Sequence, residues 1–354
     1  MRTHLLLALV GLATGFVVPV FAQEKDTEAV VTAANAFLAT LSASQLAAVK
    51  YDYTLANAEG WSNVPTAGPE GATRNGLKFG SLNTTQLTAA LALTRTALSA
   101  TGYTLLQEIR AADDVIATES PIRTVADLYG FGSGNYYIAF VGTPSTVSAW
   151  MLQIGGHHLA YNLTFSGKYV SGTPMFAGVE PRTWTASGTT HAPLETQRAA
   201  IYNLAQVLGT LPAAKLSKIF DDMLMGPNGV PGRHDTDYPQ SYPAGISGRG
   251  VLASSLTAAQ QGLVKTAIEA WVNTVHSTIA SDLLSAYESD SALAQTYVAY
   301  SGSMTLDTQG SYVRIDGPRV WIEFVCQPGV AYPNNIHYHS IWRDKTADYG
   351  GMFK

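Results

Sequence analysis

The 354-residue chain is 46% hydrophobic, enough to bury a sizeable core and too apolar for a disordered protein. Only 13% of its residues are Asp, Glu, Lys or Arg, and 21 basic against 26 acidic residues leave a net charge of −5, a composition that argues against a nucleic-acid binder. The single cysteine, Cys326, excludes an intramolecular disulfide and any multi-thiolate zinc or redox centre, so a metal site must draw on Asp, Glu and the 8 His.

The chain opens with Arg2 and an apolar stretch from Leu5 to Val20, broken by Gly11, Gly15 and Pro19. Val20-Phe21-Ala22 places small residues three and one before Gln23, so residues 1–22 read as a signal peptide cleaved before Gln23. No later segment holds about 18 unbroken apolar residues, which predicts a secreted or periplasmic protein with no stable membrane insertion after cleavage. Residues 23–354 are expected to form a single α+β domain, in which an antiparallel sheet from a central and a C-terminal segment is covered by helices.

Val30, Ala34, Phe37, Leu38 and Leu41 recur at helical spacing. Ser42 with Gln45, Asn83 with Gln86 and Thr257 with Gln260 each pair an N-cap oxygen with a Gln three residues on, which predicts three capped helix starts. The helix from Thr84 is expected to bury Leu87, Leu91 and Leu98, and the next one Leu105, Ile109 and Val115. The Gly- and Pro-rich stretch 61–80 between them reads as a long loop.

From about Asn135 the pattern turns to strands: 136–141, 148–154, 157–165 and 169–176, with a tight turn at Ser166-Gly167-Lys168. Helices return after Glu195. Leu216, Ile219, Phe220, Met223 and Leu224 form an amphipathic stripe, and Val264, Ile268, Trp271, Val272, Val275 and Ile279 form another. Between them, residues 226–250 form a long loop with Arg233, His234, Asp235 and Asp237, readable as a solvated loop or as a lid over a site. Strands at 297–300, 312–315, 319–325 and 336–342 close the chain.

Two histidine clusters carry the chemical signal. Gly155-Gly156-His157-His158 sits at the start of an expected strand, where neighbouring residues face opposite ways, so parity sends His158 to the polar side and His157 toward the core. His337 and His339 are two apart and share one face of a strand, with Cβ atoms about 6–7 Å from each other, a spacing suited to chelation. Arg343 falls on the same parity. Arg319, Trp321 and Glu323 share the polar face of the preceding strand, where a carboxylate can ligate, orient a ligand histidine or act as a base. Asp344 and Asp348 flank a turn beside the second pair, while His191 and His276 stand alone and read as structural. No Gly-rich phosphate loop, GxSxG elbow or HExxH occurs.

Trp150, Gly155-Gly156-His157-His158-Leu159, Asn162, Thr173-Pro174 and Phe176 together resemble a bacterial and fungal family of domains of unknown function, DUF3500. Trp61-Ser62-Asn63-Val64-Pro65, Arg74-Asn75-Gly76-Leu77, Gly317-Pro318-Arg319-Val320-Trp321-Ile322-Glu323, His337-Tyr338-His339-Ser340-Ile341-Trp342-Arg343-Asp344 and Asp348-Tyr349-Gly350 extend the resemblance over nearly all of the mature chain. It groups these motifs and implies no reaction.

The residues point to a divalent metal, Zn or Cu, held by His337, His339 and one of His157 or His158. With Zn, Glu323 would serve as base and Arg319 or Arg343 would stabilise negative charge in hydrolysis or elimination of a small or oligomeric extracellular substrate of the sugar or peptide class. A copper-dependent oxidative enzyme and a non-catalytic exported protein that binds a metal or ligand are the alternatives. The metalloenzyme readings require the two clusters to lie within about 10 Å of each other, because metal–nitrogen bonds are only about 2.1 Å long.

Overall fold

A computed structural model describes residues 21–68, 71, 73–122, 128–217 and 241–353. Its strands, in chain order, are β1 (Lys50–Tyr51), β2 (Leu77–Lys78), β3 (Tyr137–Val141), β4 (Ala149–Gly156), β5 (Leu159–Ser166), β6 (Tyr169–Ser171) and β7 (Met175–Val179). They continue as β8 (Trp184–Ala186), β9 (Thr189–His191), β10 (Val251–Leu252), β11 (Tyr297–Ser301), β12 (Tyr312–Asp316), β13 (Val320–Pro328) and β14 (Ile336–Asp344). Twelve of them form one sheet, with the path β1-β3-β4-β5-β7-β14-β13-β12-β11-β10, β2 beside β3 and β6 beside β5; β8 and β9 form a separate hairpin. Every pairing in the sheet is antiparallel except β1 with β3 at one edge. The architecture is α+β, and the sheet is built mainly from the central and C-terminal segments, with the two-residue strands β1 and β2 added at one edge from the N-terminal third.

The junction of those segments is β7. It pairs with β5 through Leu159–Ala177 and Ala160–Phe176, and with β14 through Ile341–Phe176 and His339–Gly178. One face of the sheet buries Leu152, Ile154, Leu163, Ala177, Trp342, Ile322, Phe324 and Ile315 against helices. These include Phe21–Leu38, Thr84–Ala97, Ala100–Glu119, Glu195–Leu208 and Ala258–Val272. On the other face Val141, Met151, Ala160, Phe176 and Ile341 pack against Ala58, Trp61 and Tyr349, which come from the short helix Leu55–Ala58, the loop after it and the C-terminal tail. Strand alternation therefore gives the sheet one helix-covered face and one loop-covered face that also carries Gln153, Asn162, His339, Arg343, Glu323 and Arg314.

The three capping boxes at Ser42/Gln45, Asn83/Gln86 and Thr257/Gln260 all form. Several element limits differ from the sequence pattern for local reasons. The helix at Thr84–Ala97 buries Ala90, Leu93 and Ala97, while Leu87 and Leu91 are half-buried beside the core and Leu98 is the residue past its end. The apolar stripe 264–279 is two helices, Ala258–Val272 and Ser277–Tyr287, because His276 leaves the helical conformation and its Nδ1 accepts from Thr278 N–H to cap the second. The expected strand 169–176 is divided into β6 and β7 around Gly172-Thr173-Pro174. The strand expected to begin at His157 begins at Leu159. Leu216 lies outside any helix and its N–H bonds the Tyr300 carbonyl, and the rest of its expected helical stripe lies outside the described residues, as do Arg233, His234, Asp235 and Asp237.

The Asn83 box tests how far local capping stabilises the fold. Gln86 is buried and also bonds the Thr40 carbonyl at 3.0 Å and Gln45 Oε1 at 3.0 Å. Asn83→Ala should cost about 1 kcal/mol, and Gln86→Ala about 2 kcal/mol because buried partners are also stranded. Urea unfolding of both variants checks this; equal losses would contradict the cross-linking role of Gln86.

Candidate metal centre

β14 presents His337 and His339 on its loop-covered face, opposite Gln327 and Val325 of β13. β4 and β5 stay in register up to Gly156–Leu159, so His157 and His158 form the two-residue turn between them. His158 adopts φ +62°, a left-handed conformation uncommon for a residue with a side chain. The surroundings hold it there. Its N–H donates to the Asn63 carbonyl at 2.8 Å, and its carbonyl accepts from Gly178 N–H at 2.7 Å. A left-handed residue is what a two-residue hairpin turn calls for, and here a histidine fills it.

From this turn the His158 ring reaches β14. His158 Nε2 lies 3.1 Å from His339 Nε2, and His339 Nε2 lies 3.0 Å from His337 Nε2, although His158 and His339 are 181 residues apart in sequence. The three ligand atoms all fall within 4.8 Å of one another, an arrangement that can hold a metal ion. Each neutral imidazole Nε2 has one in-plane position, filled by a proton or by a lone pair. His339 Nε2 cannot serve two neighbours linearly with that one position. A metal ion can: three nitrogens about 2.1 Å from a tetrahedral ion stand about 3.4 Å apart, close to the two short contacts seen here.

Electrostatics favours neutral rings over imidazolium ions. His158 and His337 are buried, and His339 is the more accessible of the three. Burial, reinforced by the neighbouring imidazoles, holds His158 and His339 well below the ordinary histidine range. Burial lowers His337 too, against the opposing charge of Glu180. Cys326 lies on the helix-covered face, and burial pushes its thiol up to about 12, so it stays protonated.

His157 turns the other way. Its Nδ1 lies 2.7 Å from Asp113 Oδ1, and its carbonyl accepts from the Tyr136 hydroxyl at 2.6 Å. Its ring stacks on His158 with centroids 3.7 Å apart and meets Phe131 at 4.8 Å. Burial raises the Asp113 carboxyl, and His157 opposes that rise. Parity along a strand does not apply to these two histidines, since both sit in the turn. Asp113 could not be tied to the site from sequence: it lies on the helix Ala100–Glu119, 44 residues before its partner.

The other candidates have partners of their own. Glu323 accepts from the Tyr312 hydroxyl at 2.6 Å and from Trp321 Nε1 at 2.9 Å, and it is not among the groups that converge with the triad. Arg319 pairs with Asp344 at 2.6 Å, and Arg343 with Asp348 at 2.9 Å. Asp344 also accepts from the Tyr287 hydroxyl and the Thr346 and Ala347 N–H groups, while burial pushes Asp348 up to about 6 despite Arg343. His191 pairs with Glu108, and His276 caps a helix.

A family model described as "Protein of unknown function (DUF3500)" matches residues 23–351. No curated protein and no solved structure matches the chain.

The buried imidazoles fix the sign of a pH effect. Their folded-state affinity for protons is below that of the unfolded chain, so the unfolded state takes up protons first as the solution is acidified. Stability of the metal-free protein should be level above about pH 6.5 with respect to these groups and fall below it. His158→Gln and His339→Gln should each flatten that acid limb by up to about 1.4 kcal/mol per pH unit. Urea unfolding from about pH 5 to about pH 8 measures this; an unchanged limb in both variants would contradict the burial of neutral rings.

Proposed function

The chain belongs to the DUF3500 family, and from that premise we propose that it is an exported metalloprotein whose His158, His337 and His339 hold one divalent ion through Nε2. The observation that carries this reading is the convergence of those three nitrogens. A neutral, all-imidazole ligand set suits Zn or Cu and leaves the ion its full positive charge. Among the described residues no further His, Cys, Asp or Glu joins the cluster, so a fourth position is left for water or substrate. Zn at such a site lowers the pKa of bound water to about 7, which supports hydrolysis or elimination on an extracellular substrate of the sugar or peptide class. Export is the expectation carried by the N-terminal pattern alone, Arg2 followed by the apolar stretch from Leu5 to Val20.

The engagement of Glu323, Arg319 and Arg343 with Tyr312, Trp321, Asp344 and Asp348 favours a second reading. In it the same site binds a metal, or a ligand through the metal, without turnover.

Metal analysis of the purified mature protein tests the shared core of both readings. About one equivalent of Zn or Cu is expected, lost in the His337→Ala/His339→Ala double variant; metal content unchanged in that variant would overturn both. Turnover of esters, glycosides or peptides by the Zn form supports the hydrolytic reading. Binding of metal with no turnover across that panel, or across oxidisable substrates in the Cu form, supports the second.

A further inference from the structure

We infer that the short segment Gly178–Glu180, at the end of β7, is the positioning element of the metal centre: Gly178 leaves the space in which two ligand rings converge, and Glu180 anchors the loop that delivers the third. This deepens the metal-site reading and rests on it.

Gly178 lies directly opposite His339 across the β7–β14 pairing, and its N–H holds the carbonyl of His158. It touches both distant halves of the site at once. A Cβ on Gly178 would fall 2.9 Å from His339 Cδ2, 3.1 Å from His158 Cδ2 and 2.8 Å from the Tyr338 carbonyl. In each imidazole Cδ2 is bonded to Nε2, so the missing side chain is one that would press on the atoms next to the ligating nitrogens. Gly178 is not among the residues with positive φ, so its backbone conformation does not demand glycine. The space does.

Two residues on, Glu180 is buried at 3% exposure. Its Oε1 accepts from the N–H groups of Ala331 at 3.0 Å and Tyr332 at 2.9 Å, and its Oε2 from that of Val330 at 3.2 Å. One carboxylate thus gathers three consecutive backbone donors of the loop between β13 and β14. That loop is closed by Asn335 N–H to the Tyr332 carbonyl at 2.9 Å and Gly329 N–H to the Asn335 carbonyl at 2.7 Å, just before His337. A carboxylate that accepts several backbone N–H groups is a strong, charge-assisted anchor. A glutamine there keeps the shape, but its amide presents N–H groups to at least one of the three backbone donors.

The test uses the mature protein, with Zn affinity read by chelator competition and coordination geometry by the visible absorption of the Co(II) form. Gly178→Ala and Glu180→Gln are each expected to weaken Zn binding tenfold or more, as loss of supporting contacts around a metal site typically does. Gly178→Ala should also change the Co(II) absorption. A merely structural role would lower stability and leave both metal readouts unmoved. In a His158→Ala background, where one of the two rings is gone, adding Gly178→Ala should cost less affinity than it does in the parent. If Gly178→Ala does not fold, Glu180→Gln decides alone. Zn affinity within twofold of the parent in the folded variants, with binding lost in His337→Ala/His339→Ala, overturns the inference and leaves the metal site standing. Retention of Zn by the histidine variants overturns the site itself.

Discussion

Strand β7 joins the two halves of the sheet, and the position of every candidate ligand depends on that junction. Its one edge bonds β5, which carries the hairpin turn with His158; its other edge bonds β14, which carries His337 and His339. Sheet neighbours lie about 4.8 Å apart, so with the single strand β7 between them, β14 and the β4–β5 turn are close enough for their side chains to meet. The apolar contacts on both faces serve this register. Ala177 faces the helix-packed core, while Phe176 faces the loop-covered side and meets the His339 ring at 5.3 Å.

Gathering three imidazoles in a buried place costs free energy in the metal-free protein. Each ring loses hydration, and the contacts of His339 Nε2 with two other nitrogens cannot both be well-formed hydrogen bonds. The strained backbone of His158 adds to that cost. Nothing about folding alone requires such an arrangement, since a sheet of this size is stabilised by its helix-covered face. A metal ion held by the three rings would offset that cost, and this is the physical basis of the metal-site proposal.

The legible part of this design is the part carried by local periodicity. The spacing of His337 and His339 fixed their shared face, and the three capping boxes announced helix starts that the structure contains. The turn at His157-His158 was hidden because two-residue hairpin turns usually advertise themselves with Gly or Asn, and here the left-handed position is filled by a histidine. The glycines that look like turn residues, Gly155 and Gly156, are in fact the last residues of β4. Asp113, Asn63 and Glu180 were out of reach for another reason: each acts on the site through a contact between segments far apart in sequence, which periodicity cannot encode. Likewise the polar face of β13 marked Glu323 as a candidate, but only the sheet register shows that Tyr312 and Trp321 occupy its carboxylate.

The central claim is that three imidazole nitrogens form the protein part of a metal's first coordination sphere. X-ray absorption at the metal edge of the Zn- or Cu-loaded protein tests it most directly. Nitrogen or oxygen neighbours at about 2.0–2.1 Å, with the outer-shell scattering of three imidazole rings and no sulfur, are the predicted result. Fewer than three imidazoles, or a sulfur neighbour at about 2.3 Å, would contradict it.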